Sequence, residues 1–310
     1  MGTSGEGRGV SMLAVLGGAV LWGLSGTAAQ ALFQRHAVDP GWLVSIRMSV
    51  SGLLMLLALA VRRGLPAVLA PLRSVRSAMS LVIFGVVGLV VVQYSYLVTI
   101  EASNAATATL LQYLAPAMVV LWTSLAGRRL PPRLHAVALG LTLVGTFLLV
   151  TAGPTLHLQL SFRAVWWGLL SAAALAFYTL YPGPLLRALG APLVVGWGLV
   201  LGGAAIAPFA PPWAVPAHLS GGDLALVGFV VVLGTLIAFT LYLYGLTRLT
   251  PVLASLLATA EPLAAAVAGV LWLHVHLDAW QWVGGGAIAG GVLLLARTPR
   301  RHSSPGRATG

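Results

Sequence analysis

The chain has 310 residues, of which 59% are hydrophobic and only 7% are charged. An ordinary soluble domain has about 25% charged residues, so this composition excludes a soluble fold and predicts a membrane protein whose apolar side chains face lipid. The sequence has no cysteine, which excludes disulfides, thiolate catalysis and cysteine metal sites. The net charge of +11 comes from arginines that lie between apolar runs, so no nucleic-acid partner is predicted.

A helix needs about 20 apolar residues to cross a bilayer. This criterion predicts an all-α membrane protein with ten transmembrane helices. The ten predicted spans cover residues 12–33, 40–61, 78–100, 103–125, 134–152, 164–185, 192–210, 224–246, 250–273 and 279–297. Residues 101–104 separate the third span from the fourth, and Ser103 and Asn104 are good N-caps for a new helix.

The arginines predict the orientation of these spans. One side of the membrane collects Arg8, Arg62, Arg63, Arg73, Arg76, Arg128, Arg129, Arg133, Arg187, Arg248, Arg297, Arg300, Arg301 and Arg307. The other side has only Arg35 and Arg163, and Arg47 lies within a span. Cytoplasmic loops are enriched in arginine, so both termini are predicted to be cytoplasmic.

The two halves of the chain share a weak repeat at an offset of 146 residues. Leu110-Leu111 with Pro116 recurs as Leu256-Leu257 with Pro262. Five spans per half is an odd number, so the second half would enter the membrane inverted. Inverted repeats characterise secondary transporters, whose substrate site lies near the midplane between the halves.

Several segments resemble motifs of one known family. They are residues 21–26 (LWGLSG), Ile46–Met48, residues 103–116 (SNAATATLLQYLAP), Leu233–Thr235 and Glu261-Pro262. Together they resemble EamA domains of the drug/metabolite transporter superfamily, and most closely its carboxylate/amino-acid/amine branch.

The resemblance implies two EamA repeats of five helices each, in a bacterial-type inner membrane. We expect the first repeat at 10–153, the second at 160–297, and a disordered cytoplasmic tail at 298–310. The implied function is export of small polar metabolites (amino acids, carboxylates or amines) by alternating access. Multidrug efflux and uncoupled facilitation remain alternatives. No cofactor is expected, and the sequence leaves the oligomeric state open.

Only two charged residues lie well inside the predicted spans, and an ionisable group in hydrocarbon costs at least about 2.5–3.5 kcal/mol. Arg47 could bind a substrate carboxylate, because a guanidinium binds carboxylates through two hydrogen bonds; the alternative is a structural anchor. Glu261 could load and release a proton as the coupling residue, and the alternative is a neutral side chain bonded to a neighbouring helix. Pro262 would leave a backbone carbonyl free to line a cavity.

Other polar and aromatic side chains within the spans are candidates for substrate contacts. Together with Arg47, the predicted substrate-binding residues are Trp22, Gln93, Tyr96, Gln112 and Tyr178. Each has a structural alternative, which is hydrogen bonding between helices for the amides and phenols and core packing for Trp22.

Two other classes of function compete with transport. An integral-membrane enzyme would need paired acids or histidines, and the chain has only six acids, none at a short helical spacing from another. His274 and His276 are two residues apart, so they point to different helix faces and no metal site is predicted. A sensor would need a soluble module, and the tails are too short to fold alone. Transport is therefore favoured.

Overall fold

The computed structural model describes residues 3–36, 38–103, 105–128, 130–151, 161–273 and 279–296. Helices dominate, and these residues contain no strand. The predicted tail at 298–310 and the predicted N-cap Asn104 lie outside the described residues. The all-α class of the sequence prediction is therefore confirmed for the part of the chain that is described.

Sixteen α-helices occur in the described residues. In chain order they are α1 (Thr3–His36), α2 (Pro40–Arg63), α3 (Leu65–Leu69), α4 (Val75–Ile83), α5 (Val91–Ala102), α6 (Ala105–Gln112), α7 (Ala115–Gly127), α8 (Arg133–Thr151), α9 (Phe162–Leu180), α10 (Gly183–Leu189), α11 (Ala191–Ile206), α12 (Gly221–Val231), α13 (Ala238–Leu246), α14 (Pro251–Leu257), α15 (Ala260–Leu273) and α16 (Ala279–Ala296).

Five helical runs are long and apolar enough to cross a membrane within the described residues. They are Gly7–Arg35, Pro40–Arg63, Val75–Ala102, Phe162–Leu180 and Gly221–Leu246. A sixth candidate is the bent pair α10–α11, whose axes differ by 117°. The predicted span 164–185 therefore covers two helices, because α9 ends at Leu180 and a new helix begins at Gly183, just before Pro184.

Two further predicted spans are also broken near a proline. The span predicted at 103–125 is divided into α6 and α7 at Tyr113-Leu114, and the span at 250–273 is divided into α14 and α15 at Ala258-Thr259. Pro116 and Pro262 follow the two breaks. Proline has no N–H, so each removes one helical hydrogen bond and leaves the carbonyl four residues earlier without its usual donor.

Two other runs contain a π-helical segment. Residues Phe84–Val90 join α4 to α5, and Val232–Ile237 join α12 to α13. In the second segment the Thr235 hydroxyl donates to the Val230 carbonyl, five residues earlier, at 2.8 Å. Single π-helical turns inside α-helices occur frequently at functional sites.

Several pairs of helices pack closely against each other. Helix α1 packs against α13 and α15, α2 packs against α11, and α8 packs against α16. At Gly23 in α1 a Cβ would lie 2.5 Å from the Glu261 carbonyl oxygen, so only glycine allows this contact between α1 and α15. The approach places Trp22 and Glu261 around the same interior space.

Candidate functional site

A small cavity of about 50 Å³ lies in the interior between α1, α2, α5, α6, α9, α13 and α15. Its lining combines one cation, one carboxyl group, two amides and several aromatic rings. The lining residues are Trp22, Ser25, Gly26, Arg47, Val92, Gln93, Tyr96, Leu97, Gln112, Leu175, Phe239 and Glu261. Six of the seven residues predicted for substrate binding or coupling therefore line one cavity, and Tyr178 is the exception.

Arg47 is buried and is fixed in place by the π-helical segment before α13. Its Nε donates to the Thr235 hydroxyl at 2.8 Å, and its Nη2 lies 3.5 Å from the Gly234 carbonyl oxygen. Ser25 packs directly against Gly234, where a Cβ would lie 2.1 Å from the Ser25 hydroxyl oxygen. The segment thus provides both the acceptor groups for the guanidinium and the space for α1 beside it.

Glu261 is equally buried, on the side of the cavity formed by α15. The Tyr113 hydroxyl lies 3.2 Å from its Oε2 and 2.7 Å from the carbonyl oxygen of Ala258. Arg47 and Glu261 are both described, and no ion pair within 4.0 Å joins them. Arg47 and Glu261 therefore line the same cavity with separate hydrogen-bond partners.

Gln93 has buried polar atoms that lack partners. Both its Oε1 and its Nε2 are without a hydrogen bond to any described residue, and its side chain is only 4% exposed. The indole Nε1 of Trp22 is also buried without a hydrogen bond to any described residue. Buried polar groups in proteins are nearly always hydrogen-bonded to protein or to ordered water, so these groups are available to a molecule inside the cavity.

Tyr96 and Gln112 line the cavity but bond to other side chains. The Tyr96 hydroxyl lies 3.1 Å from the Thr109 hydroxyl, and Gln112 Nε2 donates to the Ser171 hydroxyl at 2.6 Å. The second bond joins the first half of the chain to the second. These side chains can stabilise the helix packing and still present their remaining polar atoms to the cavity.

Tyr178 lies outside the cavity lining, in a buried cluster of aromatic rings. It stacks against Phe84 and Tyr242 with ring centroids 5.5 and 5.7 Å apart, and it meets Phe239 edge to face at 5.6 Å. Trp22 joins this cluster through Phe239 and Tyr242. Tyr178 thus reaches the cavity only indirectly, through the ring of Phe239, which is part of the cavity wall.

Three side chains that organise the cavity are not among the predicted substrate-binding or coupling residues. Thr235 fixes Arg47, Tyr113 contacts Glu261, and Phe239 forms part of the wall. Thr235 and Tyr113 both lie inside the motifs that suggested the family, which was the available signal. Tyr242 is also fully buried, within the aromatic cluster around Tyr178.

A metal site finds no support in the described part of the chain, where no three histidine, aspartate or glutamate residues form a group.

Similar proteins are known at the level of sequence and of fold. The chain is 39% identical over 292 residues to the uncharacterized inner membrane transporter YicL of Salmonella typhimurium, covering 94% of this chain and 97% of that protein. It is 29% identical to an uncharacterized transporter of Archaeoglobus fulgidus, covering 66% and 71%. A crystal structure with 20% identity has a TM-score of 0.72 and covers 93% of this chain and 97% of its own, which shows the shared fold alone.

Long apolar helices around a cavity that contains a buried cation and a buried carboxyl group indicate a membrane protein with an internal polar site. The model of the EamA-like transporter family matches residues 9–151 and 162–297. The chain belongs to the EamA-like transporter family.

Proposed function

We propose that the protein is a secondary transporter that exports small polar metabolites (amino acids, carboxylates or amines) by alternating access. The observation that supports this most is the cavity at the centre of the helices, with a fixed guanidinium, a carboxyl group and an amide that lacks partners. Such a lining suits a small ligand that has both charged and hydrogen-bonding groups.

Arg47 would bind the anionic group of the substrate. Thr235 and Gly234 hold the guanidinium on one edge. A planar guanidinium has five N–H donors, so others remain for a ligand. Gln93 and Trp22 would supply the remaining donors and an acceptor, and Tyr96 and Gln112 would border the bound substrate. Tyr178 would contribute indirectly, by packing against Phe239 in the cavity wall.

The proposed architecture is ten spans in two inverted repeats, at 10–153 and 160–297, with both termini in the cytoplasm. The two π-helical segments support a repeat, because one lies in each half of the described chain. The breaks that precede Pro116 and Pro262 support it in the same way. The arginine distribution supports the orientation. An inner-membrane location is supported by the name of the Salmonella relative.

Glu261 is proposed as the proton-coupling residue. It is a buried carboxyl in the cavity wall, away from Arg47, where it could be protonated in one state and ionised in another. Uncoupled facilitation is the alternative, and it would leave transport insensitive to a proton gradient.

An untargeted metabolite comparison tests the proposed function. Cells with and without the gene are grown in parallel, and polar metabolites are measured inside the cells and in the medium. We expect one or a few small polar metabolites to shift from the cells to the medium when the gene is expressed. Identical distributions under many growth conditions would contradict the proposal.

A further inference from the structure

Tyr113 has two hydrogen-bond acceptors but only one hydrogen to give. Its hydroxyl lies 2.7 Å from the Ala258 carbonyl oxygen and 3.2 Å from Glu261 Oε2. A carbonyl oxygen can only accept, and so can an ionised carboxylate. A single hydrogen can serve both acceptors only as a weaker, shared bond, whereas each contact is a full hydrogen bond when Glu261 carries a proton and donates it to the Tyr113 oxygen.

We propose that Tyr113 is a positioning residue that couples the protonation of Glu261 to the break between α14 and α15. When Glu261 is protonated, Tyr113 donates to the Ala258 carbonyl and accepts from the carboxyl group. When Glu261 loses its proton, the carboxylate takes the tyrosine hydrogen, because a charged acceptor forms the stronger bond. The Ala258 carbonyl then loses this partner. This inference rests on the proposed coupling role of Glu261.

The Ala258 carbonyl is available to Tyr113 because Pro262, four residues later, has no N–H to donate. The carbonyl also accepts from the Glu261 N–H at 3.0 Å. Tyr113 follows directly on α6, so its bond connects the end of α6 to the break. Helix α14 packs most extensively against α7 and α15 most extensively against α1, and both also contact α8 and α16. Release of the bond would therefore let α14 move relative to α15.

Few other ionisable groups face Glu261. Across the cavity these are Arg47 of α2 and Tyr96 of α5, and Tyr242 of α13 lies near Tyr113. The helices packed directly on α15 contribute none beside the carboxyl group. Helix α16 has no ionisable residue, α8 has Arg133 and His135 at its start, and α1 has Glu6, Arg8, Arg35 and His36 at its ends. Glu261 is therefore the carboxyl group expected to titrate at this position.

Spin-label distances test the proposal without knowledge of the substrate. The chain has no native cysteine, so Val267→Cys on α15 and Arg248→Cys just before α14 give two label sites on either side of the break. Both residues are exposed. Distances are measured by pulsed electron paramagnetic resonance in nanodiscs, where both membrane faces have the same pH. We expect the wild-type distance distribution to change between acidic and alkaline pH.

Two variants should each hold the protein in one of the two distance distributions, acidic or alkaline. Glu261→Gln cannot ionise, so it should keep the acidic distribution at every pH. Tyr113→Phe cannot bond to Ala258, so it should show the alkaline distribution even at acidic pH. Tyr181→Phe, the same change outside the cavity lining, should behave as the wild type does. Size-exclusion profiles identify any variant that fails to fold, and Glu261→Gln then still decides the test.

A wild-type distribution that does not change with pH would overturn the inference. A Tyr113→Phe variant with the wild-type pH response would also overturn it, because that tyrosine would then be structural only. Neither result bears on whether the protein transports, since the metabolite comparison tests that separately. A protein that moves a metabolite while Tyr113→Phe leaves the pH response intact refutes the coupling role of Tyr113 alone.

Discussion

Two charges line the cavity, and the protein holds them in different ways. Arg47 is bonded to Thr235, and its Nη2 lies near the Gly234 carbonyl of a π-helical segment, so that its position depends on backbone geometry. Glu261 contacts one phenol, whose hydrogen a backbone carbonyl also attracts. An arginine is always protonated in proteins, whereas a carboxyl group can change its charge. The structure therefore combines a fixed charge with a changeable one in a single cavity.

This difference indicates a division of labour. A fixed guanidinium suits recognition, which requires the same geometry in every cycle. The Glu261 carboxyl group has a partner, Tyr113, that can change its hydrogen bond, and this suits a step in which a proton is taken up or released. If this comparison is correct, substitution of Arg47 and substitution of Glu261 should impair transport in different ways.

Replacing Arg47 should have the largest effect. Arg47→Ala removes the fixed charge, and hydrogen bonds to charged groups contribute about 1.5–3 kcal/mol each. We expect transport of the metabolite found in the cell comparison to fall by at least about tenfold. Thr235 still donates to the Val230 carbonyl, so the π-helical segment should remain folded. Uptake into proteoliposomes is the measurement, and near-normal transport by Arg47→Ala would contradict the recognition role.

Replacing Glu261 should abolish coupling but preserve binding. Glu261→Gln keeps the shape of the side chain and the bond from Tyr113 to Ala258, but it cannot ionise. We expect wild-type transport to respond to an imposed proton gradient and the variant to be insensitive to it. A pH-sensitive dye inside proteoliposomes measures the proton movement. A variant that responds to the gradient as the wild type does would exclude Glu261 as the proton site.

Replacing Gln93 should stabilise the protein and weaken transport. Its amide has two buried atoms without partners, and each such atom costs about 1–3 kcal/mol. We expect Gln93→Leu to raise the apparent Tm and to reduce transport several-fold. Thr146→Val is the matched control, because Thr146 also has a buried hydroxyl without a partner among the described residues but lies outside the cavity lining. It should raise the Tm and leave transport unchanged.

Removing the exposed ion pair should have the smallest effect on stability and transport. Arg163 at the start of α9 lies 2.8 Å from Glu101 at the end of α5, and both side chains are well exposed. Exposed pairs contribute about 0–1 kcal/mol. We expect Arg163→Gln to change neither the apparent Tm nor transport appreciably. A loss as large as that of Arg47→Ala would show that charge at the protein surface matters as much as charge in the cavity.

The sequence could predict the all-α class and the five long apolar helical runs, and it named six of the residues that line the cavity. Both depend on local composition. Charged and amide side chains within apolar runs must face the interior. The partners of these side chains could not be predicted, since Arg47 and Thr235 meet only through packing of distant helices. The π-helical segments were also missed. Tyr178 lies outside the cavity lining because of how several helices are rotated relative to one another. The spacing of residues within one helix does not define that rotation.

The central claim is that the interior cavity binds the transported metabolite, and thiol labelling tests it most directly. Val92 lines the cavity, whereas Val98 on the same helix is equally buried but lies outside the lining. In the cysteine-free chain, a water-soluble thiol reagent should label Val92→Cys and leave Val98→Cys unlabelled. The metabolite identified in the cell comparison should slow this labelling. Labelling of Val92→Cys that proceeds at the same rate with and without that metabolite would contradict the account.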